Sequence, residues 1–187
     1  MQAATLSRVG VFVDYDNVKG PAEARLTPSQ IIELVRRDLG PERIVQTAKL
    51  YLPMGMPHDV SAVDREMIFK TFVQGAQPVP VPSFKGSGAI AVKNIADPTA
   101  IVDIIKCIYI HPEISYFAIV TGDKDFLPAV RELRENGKSV RIYYRDSCAG
   151  ILASEVESMK SDGFSAAIDI EEILCKTGTQ CGRGNVV

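Results

Sequence analysis

The chain contains no tryptophan, and aromatic residues make up only 7% of it, so a base-stacking platform of the single-strand-binder kind is poorly supported. Charge of one sign is also missing. Lys plus Arg number 21 against 23 Asp plus Glu, and a net charge of −2 excludes a global basic field that would hold a polyanion by counterion release. Any such partner must be held locally. Only His58 and His111 are present, and Cys107, Cys148, Cys175 and Cys181 are scattered with no Cys-x-x-Cys. That excludes a recognisable zinc spacing and predicts reduced thiols used mostly for packing. No run of about 18 apolar residues occurs. The opening MQAATLSRVG lacks the charged and then apolar regions of a secretory leader. A cytoplasmic protein with no membrane partner is the expectation.

What is present is enough apolar matter, 46% of 187 residues, for one substantial core. One domain over residues 1–175 is expected, with residues 176–187 as a flexible tail. RVGVFV at 8–13 is a β-branched apolar run, the mark of a strand buried on both faces. Thr27 as N-cap, Pro28 at the first helical position and Gly40 as stop delimit a helix. A strand at 43–52 follows, then an amphipathic helix through Val60, Val63, Met67 and Phe72 with Gly75 as its stop. Pro78, Pro80 and Pro82 make 78–84 an edge strand or extended loop, and KGSG at 85–88 a flexible turn. Asp97 and Pro98 open a helix through Ile108, and SYFAIVTG at 115–122 is another buried strand. DFLPAVRELRENG is a helix closed by Asn136 and Gly137, SVRIYY a strand, and 150–174 short helical or mixed pieces. This alternation implies right-handed crossovers and an α/β fold, a three-layer α/β/α domain with a mainly parallel sheet. In such a sheet, sites lie beyond the strand C-termini where the strand order reverses.

Two acidic pairs stand at such ends. Asp14 and Asp16 follow the first strand, and Asp123 and Asp125, in TGDKDF, follow the strand at 115–122. If those strands are neighbours, Asp14 and Asp123 converge, and Asp97 at its helix start can join them. Two bare carboxylates about 4 Å apart repel by roughly 1 kcal/mol in water and about 4 kcal/mol at an effective dielectric near 20. A raised pKa, a basic neighbour such as Lys93 or Lys124, or a hard divalent cation would answer that charge, and an all-oxygen set suits Mg²⁺ or Mn²⁺ best. Taken singly, Asp16 and Asp97 read as turn and cap residues, and Asn17 as either a turn amide or a site amide. Arg131, Arg134, Lys138, Arg141 and Arg145 form a loose basic set, by default a solvated face, that could otherwise meet flanking phosphates.

VFVDYDNV, KNIADPTAIVDII, FAIVTGDKDFLPAVRELRENGKSVRIY and ASEVESMKSDGFSAAIDIEEI together resemble the NYN domain of the LabA-like family, within the PIN-like nuclease superfamily. The resemblance spans about residues 8 to 174. It implies a PIN-like fold and a metal-dependent ribonuclease with an acidic Mg²⁺ or Mn²⁺ site and RNA as its partner. Carried over by motif, Asp14 is the first-strand aspartate and Asn17 the amide three residues later. Asp123 is the aspartate of the Ser/Thr-Gly-Asp motif, with Thr121 and Asp125 as its site neighbours. Asp97 matches the aspartate of the Lys-Gly-Val-Asp segment, although Lys93-Asn94-Ile95-Ala96-Asp97 is one residue longer and lacks the glycine. Asp103 falls at the acidic position six residues on, so the third carboxylate is Asp97 or Asp103.

The implied mechanism has Asp14, Asp97 and Asp123 binding one or two divalent ions, directly or through water, to activate a water against a phosphodiester. Asn17, Thr121 and Asp125 would orient the outer shell. Two rivals stand beside it. Asp14-x-Asp16-x-Val18 also resembles the haloacid-dehalogenase phosphatases, with Asp14 as nucleophile and Asp16 as acid and base, but Leu127 stands where that family places its last aspartate. The other rival is a catalytically inactive RNA- or protein-binding module, which would be expected to have lost a carboxylate. RNA class, RNA against DNA and oligomeric state stay open; a homodimer would double the phosphate-contacting surface.

Overall fold

A computed structural model describes residues 7–21, 24–54, 62–84, 93–94, 96–145, 150–158 and 163–176. Strand β1 (Ser7–Asp14) is apolar on both sides because it is covered on both. Val9, Val11 and Val13 enter one core with Ile31, Val35 and Leu39, while Phe12 enters a second with Ile104, Phe117 and Ile142. A single helical turn, α1 (Tyr15–Val18), follows at once, where a turn was expected. Helix α2 (Pro28–Leu39) begins as predicted. The Thr27 hydroxyl accepts from the Gln30 N–H, the Thr27 N–H donates to the Gln30 side chain at 2.8 Å, and Gly40 ends the helix at φ +77°.

Strand β2 (Arg43–Met54) leads to α3 (Ala62–Val73) and β3 (Gln77–Phe84). Helix α3 departs from the amphipathic expectation: Phe69, Phe72 and Val73 are each more than 60% exposed, and among its described apolar side chains Met67 and Ile68 pack partly on the core, that of Val63 lying outside the description. Val60 and the KGSG turn lie outside the described residues. β3 runs parallel to β2, and its end pairs antiparallel with the two-residue β4 (Lys93–Asn94). Prolines at every second position put all three missing donors on one side of the strand. Since β3 keeps its ladder with β2, that side is the outer one, where proline also blunts an edge.

The chain continues through α4 (Ala96–Ile110), β5 (Tyr116–Val120), a 3-10 turn (Lys124–Phe126) and α5 (Leu127–Glu135). Then come β6 (Ser139–Tyr144), α6 (Gly150–Glu157), β7 (Ala166–Asp169) and α7 (Ile170–Lys176). β7 is a true strand within the stretch read only as short mixed pieces. The sheet order is β4-β3-β2-β1-β5-β6-β7, parallel from β3 to β7, with helices on both faces. The three-layer α/β/α architecture is the one expected. From β1 the chain winds outward through β2 and β3, then returns to place β5 against the other side of β1. The order therefore reverses between β1 and β5, and the crevice beyond their C-termini is where a site belongs.

Cys107 is a buried free thiol, as expected, but Cys175 is disulfide-bonded, which corrects the expectation of reduced thiols throughout. Beyond Lys176 the expected tail lies outside the described residues. Among the described residues no helix is long and apolar enough to cross a membrane.

Candidate active site

Asp14 is the last residue of β1 and is only 3% exposed. One of its oxygens, Oδ2, accepts from the Thr121 hydroxyl at 3.3 Å; the other, Oδ1, is buried and makes no hydrogen bond, with the Asn17 N–H close enough to the carboxyl to favour its charged form. Thr121 is itself fully buried, held one residue past β5 by its N–H donating to the Tyr143 carbonyl. Its hydroxyl oxygen also accepts from the Asp123 N–H at 3.1 Å. Asn17, on α1, reaches across the crevice so that its side-chain oxygen accepts from the Gly122 N–H at 2.7 Å. The Asp123 carboxylate accepts from the Asp125 N–H at 2.9 Å and so caps the 3-10 turn. Five of the six expected site residues are thus tied into one backbone-anchored loop pair.

The sixth, Asp97, enters from the other layer. It stands in the first turn of α4 rather than ahead of it, and its carboxyl stands beside that of Asp14, close enough for each to act on the other. Burial and then the Asp97 charge push the Asp14 carboxyl up to about 7, with Asp16 adding and the Thr121 hydroxyl opposing. Asp97 is raised as well, by burial first and then by the charge of Asp123, with Asp125 and Asp16 adding. Among the described residues the charges that dominate this crevice are all carboxylates, the side chain of Lys93 lying outside the description. Lys124 is exposed and ion-paired to no described residue, so it does not relieve them.

Asp103 does not join this cluster. Its Oδ2 accepts from Lys49 Nζ and from the Tyr51 hydroxyl, both at 2.9 Å, which fastens the middle of α4 to β2. Between the two candidates for third carboxylate, the structure brings Asp97 to Asp14 and commits Asp103 elsewhere. Tyr51 escaped the sequence reading; its only signal is the register that sets it opposite Asp14, which requires β2 to be aligned on β1. Asp16 is exposed and paired with Lys19.

The late basic set divides: Arg131 and Arg134 stay on a solvated face of α5, as the default reading has it, while Arg141 and Arg145 are consumed within the protein. Arg131 and Arg134 both meet Glu155, and Lys138 donates to the carbonyls of Pro112 and Ile114. Arg141 pairs with Asp38 at 2.9 Å and lies 4.5 Å from the Phe164 ring centre. Arg145 binds Glu171 and the carbonyls of Lys19 and Ala24, closing the loop after α1 from the far side.

Does the donor set suit a divalent cation? Among the described residues no three His, Cys, Asp or Glu side chains are close enough to form a ready ligand set. Mg²⁺ asks for less. It keeps several of its waters and is commonly bound through one or two carboxylates. A buried carboxylate oxygen without a donor, beside a second carboxyl and with a third acting on that neighbour, fits such a cation.

Known proteins place this geometry. Over 92% of its length the chain superposes on 98% of a protein of unknown function from Vibrio parahaemolyticus, with a TM-score of 0.66 at 18% identity. At that identity the likeness is one of fold. A search of the curated proteins finds no match. The NYN domain family matches residues 8–163, which include all six site residues, and speaks for the family as a whole rather than for its LabA-like branch. The chain belongs to the NYN domain family, a family of PIN-like nucleases.

Proposed function

We propose that this protein is a metal-dependent ribonuclease that hydrolyses RNA phosphodiesters at the Asp14 crevice. The observation that carries the reading is the Asp14 carboxyl, buried at the end of the central strand beside Asp97 with one oxygen unpartnered. A fold gains nothing from such a group by itself. Asp14 and Asp97 would hold Mg²⁺ or Mn²⁺ directly, with Asp123 acting directly or through water. Bound there, the ion would lower the pKa of a water and offset charge on the phosphate. The remaining groups set the stage. Thr121 fixes Asp14 and the Asp123 backbone at once, Asn17 clamps Gly122, and the Asp125 N–H orients the Asp123 carboxylate.

The phosphatase reading finds less support. It needs Asp16 free to move a proton, and Asp16 is engaged by Lys19 on the exposed side of α1. The test is cleavage of a labelled RNA with Mn²⁺. Asp14→Asn and Asp123→Asn should each abolish it while circular dichroism stays that of the folded chain. Undiminished cleavage by both variants would remove the mechanism; hydrolysis of a chromogenic phosphate monoester instead would favour the phosphatase.

A further inference from the structure

A second cavity, of about 630 Å³, opens between α2, α3 and the loop after α1. Its volume falls within the range of small-molecule sites. Tyr15, Pro28, Met67, Phe69 and Val73 make its walls apolar, and Arg25 stands at its rim. Tyr15 is fixed there because its hydroxyl donates to the Leu26 carbonyl at 3.0 Å. Phe69 is 67% exposed, an aromatic face turned to solvent.

The cavity and the acidic crevice share one wall. Asp14 and Asn17 face the crevice, Tyr15 between them in sequence faces the cavity, and the partition is the single turn of α1. A helix with its side chains is about 10 Å across. Arg25 lines the cavity together with Tyr15, is exposed, and forms no salt bridge among the described residues. An unpaired cation therefore stands at the rim of an aromatic-walled pocket, across α1 from the carboxylate crevice.

We infer that the pocket between α2 and α3 receives a nucleobase of the substrate next to the phosphodiester held at Asp14, with Arg25 meeting an adjacent phosphate. This rests on the ribonuclease reading. A base has the flat apolar faces that Phe69 and Tyr15 can pack, and Ser29 and Gln74 offer hydrogen bonds to its edge. The anionic phosphate supplies the charge that Arg25 lacks.

The test is titration of the full-length chain, ¹⁵N-labelled and free of divalent ions, with adenosine and uridine 5′-monophosphates and, separately, with inorganic phosphate. Nucleotides should shift the amides of Tyr15 and of residues 66–74 where phosphate alone does not. Arg25→Ala and Phe69→Ala, at exposed positions that should not disturb folding, should each weaken that binding at least fivefold. RNA cleavage by the wild type, with nucleotide binding absent from the pocket or indifferent to both variants, overturns the subsite and leaves the nuclease standing. Nucleotide binding by a chain that cleaves no RNA overturns the nuclease and the subsite with it. A dimer that Phe69→Ala dissolves, with no nucleotide response, shows a second copy as the occupant and overturns the subsite as well.

Discussion

Replacing Asp14 by Asn should stabilise the ion-free protein at pH 8. Asp14 is raised from 3.8 to about 7 by burial and by Asp97. At about 1.4 kcal/mol for each tenfold change in proton affinity, that is roughly 4 kcal/mol favouring the protonated form in the fold. The raised value fixes the sign. Between about pH 4 and pH 7 the native state holds a proton that the unfolded chain has released, so stability falls as pH rises through that window. It is greatest below 4 and fully lost above 7. An amide of the same shape carries no charge, so the variant escapes the loss. Its NH₂ group must turn toward the Asp97 carboxyl to find an acceptor, and an imperfect fit there takes back about 1–3 kcal/mol. The net gain should be about 1–3 kcal/mol, or roughly 3–10 °C in Tm for a chain of this size. Differential scanning calorimetry in EDTA at pH 5 and pH 8 would show the gain at pH 8 and its disappearance at pH 5. Adding Mn²⁺ should raise the wild-type Tm and leave the variant unmoved, because a ligand that binds only the native site stabilises only the chain that has it. A wild type whose stability does not change from pH 5 to pH 8, or a variant less stable at both, would refute the account of Asp14 as a buried, uncompensated carboxylate.

Thr121→Val removes the one hydroxyl that both donates to Asp14 and accepts from Asp123. The Asp14 carboxyl should rise further, visible as a higher midpoint in carboxyl ¹³C titration, and RNA cleavage at neutral pH should fall by about tenfold or more. Asp103→Ala leaves Lys49 and the fully buried Tyr51 hydroxyl without their shared acceptor. Urea unfolding should report a loss of about 2–3 kcal/mol, the cost of stranding a buried donor and a half-buried charge. A variant within 0.5 kcal/mol of wild type would mean that this pair does not anchor α4.

The elements that were legible are those whose signals are local. Thr27, Gln30, Pro28 and Gly40 delimit α2 through contacts no more than four residues apart. The runs around Val11 and Ala118 announce buried strands, and the switch-point rule then brings Asp14 and Thr121 together although 107 residues separate them. What stayed illegible has no local signature. Arg141 finds Asp38 across 103 residues and Arg145 the Lys19 carbonyl across 126, and nothing near either arginine distinguishes a buried clamp from a solvated charge. The one-turn α1 and four-residue β7 are too short for periodicity to register. The apolar spacing of α3 was visible, but spacing cannot tell whether the fold supplies a cover, and Phe69 and Phe72 have none among the described residues.

The consumed arginines bear on the order of events at the crevice. With Arg141 and Arg145 neutralised by Asp38 and Glu171, the field at the C-terminal edge of β1 and β5 is set by Asp14, Asp97, Asp123, Asp125 and Asp16, the last offset by Lys19. A phosphodiester approaching that edge meets charge of its own sign. On the proposed reading, the carboxylates must be neutralised before the substrate can settle, and Arg25, which lines the cavity across α1, pairs with none of them. Divalent ion first and RNA second is then the order the charges impose. The same burial that makes Asp14 a destabilising group in the ion-free fold is, on that reading, what would draw a cation into the crevice.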